Sequence, residues 1–228
     1  MKVKICGITC EKEIEYLNIL KPDYMGFVFT KSKRQINAES AENLRQKLSP
    51  EVKCVGVFRD NSLKEINDIL KKVKLDVVQL HGNENFDFIN ELRKNKSRDI
   101  EIWKALSIKN KTFMNQYISY YLKMKGKPLI DNILIDGSNP GSGETYSLAP
   151  FKDLLEKEID SGEHKRSNIR FILAGGITSE NVLQKIDEAD PWGIDISSGV
   201  EENHQVFGRI KSFDKMKEIM IKVRERSC

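Results

Sequence analysis

The sequence predicts one α/β domain, a (β/α)8 TIM barrel spanning residues 1–228. Three observations carry that expectation. Short apolar, β-branched runs alternate with longer amphipathic stretches, the strand–helix units number eight, and the 228-residue length suits a single domain. Barrels of this class run to about 250 residues, which leaves little room for a second domain. Near-continuous apolar strands between helices imply a parallel sheet covered on its faces. Eight such units suggest closure rather than an open sheet.

The strands are expected at residues 3–6, 24–29, 53–58, 76–80, 100–105, 132–136, 170–174 and 193–196, each bounded by Gly, Asp, Asn, Pro or Ser. Helical spacing fills the intervals. Ile14, Leu17 and Leu20 share one face, as do Leu63, Ile66 and Leu70, and Phe86, Ile89 and Leu92. The last amphipathic segment runs over residues 213–223. Charged stretches at 71–74 and 93–98 are expected to be solvated helix ends.

Composition narrows the function classes. A formal net charge of +4, from 38 basic and 34 acidic residues, argues against a nucleic-acid partner, which usually needs a clustered basic face. No apolar run approaches the roughly 20 residues of a membrane span, and the N-terminus enters a strand pattern at once. Cys6, Cys10, Cys54 and Cys228 form no CxxC pair and have no second pair at zinc spacing, so no metal site is expected. Free thiols point to a cytoplasmic enzyme. Cys54, in an apolar strand, is expected in the core and Cys228, at the terminus, on the surface.

Barrel enzymes carry their chemistry where strands end and βα loops begin. The first strand ends in Cys6-Gly7, which suits either a thiol at the mouth or a small buried residue. The sixth ends in Asp136 after Ile133, Leu134 and Ile135. A carboxylate there caps a helix, holds a loop, or acts as acid or base. Together the two groups suit proton shuttling. After the second strand, Lys31, Lys33 and Arg34 make a cationic loop, in which Arg34 can fork onto a carboxylate. Lys31 and Lys33 are equally explained as solvated. Gln79 and His81 share one face of the fourth strand, to bind substrate or to tie the loop. Gly175 and Gly176, with Ser197, Ser198 and Gly199, follow strands seven and eight, where barrels commonly bind phosphate.

The segments KICGIT, GFVF with Ser32 and Arg34, VGVF, QLHGNE, ILIDG, LAGGI with Glu180-Asn181-Val182, and DISSGVE occur in this order from residue 2 to about 201. This series resembles the phosphoribosylanthranilate isomerases. The resemblance implies an Amadori rearrangement of N-(5-phosphoribosyl)anthranilate to 1-(o-carboxyphenylamino)-1-deoxyribulose 5-phosphate in tryptophan biosynthesis. It implies Cys6 as general base, Asp136 as general acid, and Arg34 on the anthranilate carboxylate. Gly175, Gly176, Ser197, Ser198 and Gly199 would hold the substrate's phosphate. No cofactor is needed, because the substrate's own amine serves as electron sink. Lys4, two positions before Cys6, could share its face and lower the thiol's pKa. The expected partner is the small phosphorylated substrate, with the protein a monomer or homodimer.

One stretch departs from the family pattern. After strand six the family usually has Gly-Gly-(Ser/Thr)-Gly, an aromatic, then Asp-Trp. Here Gly141, Ser142, Gly143 and Tyr146 keep the outline, and Ser147-Leu148 replaces Asp-Trp. That departure keeps open an altered-specificity or non-catalytic phosphate-binding barrel. An indole-glycerol-phosphate synthase would instead call for a lysine acid and glutamates at the strand tips.

Overall fold

A computed structural model describes residues 1–94, 100–123, 129–137, 151–153, 156, 170–206 and 208–226. Cys228, the charged stretch at 95–98 and the departing segment at 138–150 lie outside the described residues. Eight parallel strands close into a barrel, each paired with its neighbours in chain order and β1 with β8. They are β1 Lys2–Cys6, β2 Tyr24–Val28, β3 Lys53–Phe58, β4 Val77–Leu80, β5 Glu101–Ser107, β6 Asn132–Asp136, β7 Phe171–Ala174 and β8 Gly193–Ile196. Each expected strand is present, with ends within two residues of expectation. An antiparallel hairpin, β9 Glu201–His204 and β10 Gly208–Lys211, follows a short 3₁₀ turn at Ser198–Val200 and was not foreseen.

The described helices are α1 Glu11–Leu20, α2 Ala38–Lys47, α3 Leu63–Lys72, α4 Phe86–Lys94, α5 Lys111–Lys123, α6 Val182–Ala189 and α7 Phe213–Arg226. Their starts follow from local chemistry. Asn37 accepts from the Ser40 amide at the head of α2 (2.8 Å), and Ser62 and Glu65 form a capping box on α3. Their apolar stripes, among them Ile14, Leu17, Ile66, Ile89 and Ile219, pack against the outward residues of the strands.

Alternation along the strands sorts the other face into the lumen. Tyr24, Val55, Val77, Trp103, Leu134 and Ile172 fill its lower part, with Tyr24 edge-on to Trp103 at 4.8 Å. The upper apolar residues of the lumen are smaller: Cys6, Val57, Ala105 and Ala174. The taper leaves room at the C-terminal mouth, where a barrel's ligands bind. Cys54 points outward and is fully buried among the helices.

A buried ion pair braces the turn after β4. Lys104, on the outward face of β5, donates to Glu84 at 2.9 Å, with both side chains almost wholly buried. It also donates to the Gly82 carbonyl at 2.7 Å, and Glu84 accepts from the Gly82 and Asp60 amides. Burial pulls the Lys104 ammonium below its ordinary range, against the opposing pull of Glu84. Lys104→Met therefore strands a buried carboxylate and is expected to cost about 3–5 kcal/mol, read as a lower urea midpoint. Adding Glu84→Gln, which removes the charge and keeps an acceptor, restores part of the loss.

Candidate active site

The strand register sets which side chains reach the mouth. Cys6 ends β1 and Asp136 ends β6, and both belong to lumen-facing series. Each is 8% exposed. The register runs from Asp136 to Ala174 on β7, then to Asp195 on β8, then to Lys4 on β1. A small side chain at position 174 leaves the space between the two carboxylates open. Cys6 stands one lumen-facing position above Lys4, directly opposite Gly26.

Gly26 makes this packing possible. A Cβ built there would sit 2.9 Å from the Cys6 Sγ and 3.4 Å from the Lys4 Cε. The absent side chain of β2 is the space that the thiol and the lysine stem occupy. Lys4 donates to the Asp195 Oδ2 at 2.8 Å, while its stem and the sulfur crowd the same bare stretch of Gly26. Burial pushes the Cys6 thiol above its ordinary range, opposed first by the charge of Lys4.

Asp136 terminates a polar chain. Its Oδ2 lies 3.2 Å from the His81 Nε2, and the His81 Nδ1 lies 3.1 Å from the Gln79 Nε2. Gln79 and His81 therefore do come together, as expected from their shared strand face, and they converge on Asp136. The Gln79 Oε1 is buried with no hydrogen-bond partner among the described residues.

Arg34 is clamped at the mouth rather than lying free in its loop. Its Nη1 donates to Glu13 at 2.8 Å and to the Thr9 hydroxyl at 3.1 Å, and its Nε donates to Glu201 at 3.1 Å. Its Nη2 is buried and has no partner among the described residues. Lys31 and Lys33 are exposed, as solvated lysines would be. Glu201 also pairs with Arg209 and with the fully buried Lys211. These three cations and two carboxylates leave a net charge of +1 beside the mouth. Electrostatically this suits an anion.

The turns after β7 and β8 pack on each other. Gly175 and Gly176 have φ of 93° and 60°, conformations in which successive amides can line a concave anion site. Asn181 fixes that turn by donating to the Gly176 carbonyl at 2.8 Å and accepting from the Thr178 amide at 2.9 Å. A Cβ at Gly199 would lie 1.9 Å from the Ile177 carbonyl oxygen, so only glycine permits this approach of the two loops. Ser197 donates to the Cys6 carbonyl at 3.2 Å, and Lys211 holds the Ser197 carbonyl at 3.0 Å. The five expected phosphate-loop residues thus lie together, next to the strand that carries the thiol.

Glu13, Asp195, Glu201 and Lys211 were not singled out as candidates from the sequence. Asp195 had a usable signal, being a carboxylate between Ile194 and Ile196 in a four-residue strand. Lys211 depends on a hairpin that apolar periodicity does not reveal.

Among the described residues no helix is long and apolar enough to cross a membrane, and no cluster of three or more His, Cys, Asp or Glu could hold a metal ion. Residues 3–220 match the family model for N-(5'phosphoribosyl)anthranilate (PRA) isomerase. A curated relative from Clostridium beijerinckii, named N-(5'-phosphoribosyl)anthranilate isomerase, is 47% identical, covering 98% of this chain and 97% of its own. The crystal structure of phosphoribosyl anthranilate isomerase from Thermus thermophilus superposes with a TM-score of 0.79 at 31% identity, covering 99% of this chain and 100% of that one. Another, solved in complex with reduced 1-(o-carboxyphenylamino)-1-deoxyribulose 5-phosphate, gives a TM-score of 0.73 at 29% identity and 99% coverage of both chains.

Gly26→Ala is expected to displace the sulfur, because Sγ lies 2.9 Å from the new Cβ. A displacement of this kind costs about tenfold to a hundredfold in kcat, measured by steady-state assay, with only a modest loss in thermal midpoint. Arg34→Met is expected to raise KM and also to lower the unfolding free energy by about 3 kcal/mol, read from urea denaturation. It removes the cation shared by Glu13 and Glu201, whose side chains are 0% and 7% exposed.

Proposed function

The chain belongs to the N-(5'-phosphoribosyl)anthranilate isomerase family, and on that premise we propose how its own residues carry the reaction. The activity is an Amadori rearrangement in tryptophan biosynthesis, converting N-(5-phosphoribosyl)anthranilate to 1-(o-carboxyphenylamino)-1-deoxyribulose 5-phosphate. The observation that carries the residue assignment is the placement of Cys6 and Asp136 at the same end of one lumen, on strands that are not neighbours. A sugar between them meets one group on each side.

Asp136 delivers a proton to the furanose ring oxygen as the C1′–O bond breaks. The nitrogen lone pair closes a cationic Schiff base at C1′, which acidifies the C2′ hydrogen. Cys6, as thiolate, removes that hydrogen. The electron pair moves into the C1′–C2′ bond to give an enolamine, which tautomerises to the ketone. No external electron acceptor enters the balance.

Gln79 and His81 act through Asp136. With Gln79 donating to Nδ1, the imidazole proton is on Nε2 and supports the carboxylate. With the Gln79 amide exchanged, its Oε1, otherwise without a partner, accepts from Nδ1–H, and Nε2 accepts from a protonated Asp136. One chain thus serves both protonation states of the acid. Arg34 offers its unpaired Nη2 to the anthranilate carboxylate. The turns carrying Gly175, Gly176, Ser197, Ser198 and Gly199 take the phosphate, whose remote binding energy orients the reacting carbons. Cys6, Cys10 and Cys54 are free thiols, which supports a cytoplasmic setting. The protein works there as a monomer or homodimer on a small phosphorylated substrate.

Cys6→Ala and Asp136→Asn are each expected to lower kcat by about 10²–10⁴-fold, with thermal midpoints near that of the parent. The assay follows loss of the fluorescence of phosphoribosylanthranilate generated in situ. Near-normal turnover by Cys6→Ala would remove the proposed base.

A further inference from the structure

We propose that Lys4 is a positioning residue for the thiol base: Asp195 holds its ammonium below the Cys6 sulfur, where it becomes the counter-ion of the thiolate. The inference deepens the proposed function and rests on Cys6 being the base. A lumen filled by Val55, Val77, Trp103, Leu134 and Ile172 also holds a lysine and an aspartate, 1% and 8% exposed. Such a pair is costly to desolvate, and well-packed apolar residues would serve stability as well or better. Stability alone therefore does not account for it.

The geometry assigns each member a task. An isolated lysine in this lumen would tend to lose its proton to burial. Asp195 and Cys6 together reverse that tendency and keep the ammonium charged. The Lys4–Asp195 contact engages one carboxylate oxygen, Oδ2 at 2.8 Å, while Oδ1 is buried with no partner among the described residues. With a single N–H committed to Asp195, the ammonium retains protons to offer a thiolate that shares the Gly26 face with the lysine stem. Gly26 keeps the β2 side clear, so the lysine stem and the sulfur press against the same bare backbone.

Charged groups act on Cys6 from three elements: Lys4 on β1, Asp195 on β8 and Lys211 on β10. The two lysines favour the thiolate, while Asp195 opposes it by its charge and serves it by holding Lys4. That opposition gives the proposal a signature. Removing Lys4 should make the thiol harder to ionise. Removing the charge of Asp195 should make it easier, because the thiolate is then the ammonium's remaining anionic partner. A purely structural pair would not move one property in opposite directions.

The test measures the pH dependence of Cys6 alkylation by iodoacetamide in a Cys10→Ser, Cys228→Ser background, with Cys54 protected by complete burial. Lys4→Met is expected to raise the midpoint by about one pH unit or more, Asp195→Asn to lower it, and Lys4→Arg to stay near the parent. The acid limb of kcat/KM should move with each midpoint. Midpoints that stay put, or that move in the same direction, overturn the proposal. If Lys4→Met does not fold, Asp195→Asn decides alone, and an unchanged or raised midpoint overturns it. Alkylation reads the thiol whether or not it is the base. Midpoints that shift while the kcat/KM limb does not would count against the base assignment and leave the Lys4–Cys6 pairing standing.

Discussion

Every property of the site depends on one constraint, the two-residue alternation of side chains along strands that close on themselves. Closure divides each strand into residues that meet the helices and residues that meet the lumen. In β1 the first set is Val3 and Ile5, and the second includes Lys4 and Cys6. A shift of register by one residue would exchange these sets and put the thiol against α1 and α7. The apolar partners of Val3 and Ile5 therefore hold the chemistry in place without touching it.

The second constraint is electrostatic. This barrel buries several charges, and three groupings match them between separate elements. Lys104 and Glu84 brace the turn behind His81, Lys4 and Asp195 occupy the lumen, and Arg34 and Lys211 share Glu201 at the mouth. Two of these groupings lie at the catalytic end, and the third supports the loop that leads there. Buried pairs add little net stability. Their concentration near the mouth reflects the demands of an anionic substrate and a proton-transfer reaction.

Much of this could be read from the sequence because strand tips are locally encoded. Three apolar residues followed by Asp136, or KVKI followed by Cys6 and Gly7, mark a tip without knowledge of the fold. The ordinal position of a strand then pointed to the two turns proposed to take the phosphate. What stayed hidden was pairing. Nothing near Arg34 announces Glu201, 167 positions away, and nothing near Glu13 announces the amide of Lys211, 198 positions away. The hairpin that carries Lys211 is short, polar and exposed at the centre of β9, so apolar periodicity passes over it. Gln79 and His81 were located but not joined, because alternation gives a shared face and not a shared partner on β6.

The same long separations bear on how the chain reaches its working form. The Lys4–Asp195 contact joins residues 191 positions apart, across the seam where the first and last barrel strands meet. Seams of this kind close late, because the entropy of a very large loop must be overcome before their contacts bring any return. A nascent chain with seven strands out of the ribosome would have Cys6 and Asp136 in hand but no Asp195 to steady Lys4. Competence for catalysis then arrives together with ring closure, which makes turnover itself a reporter of the final folding event.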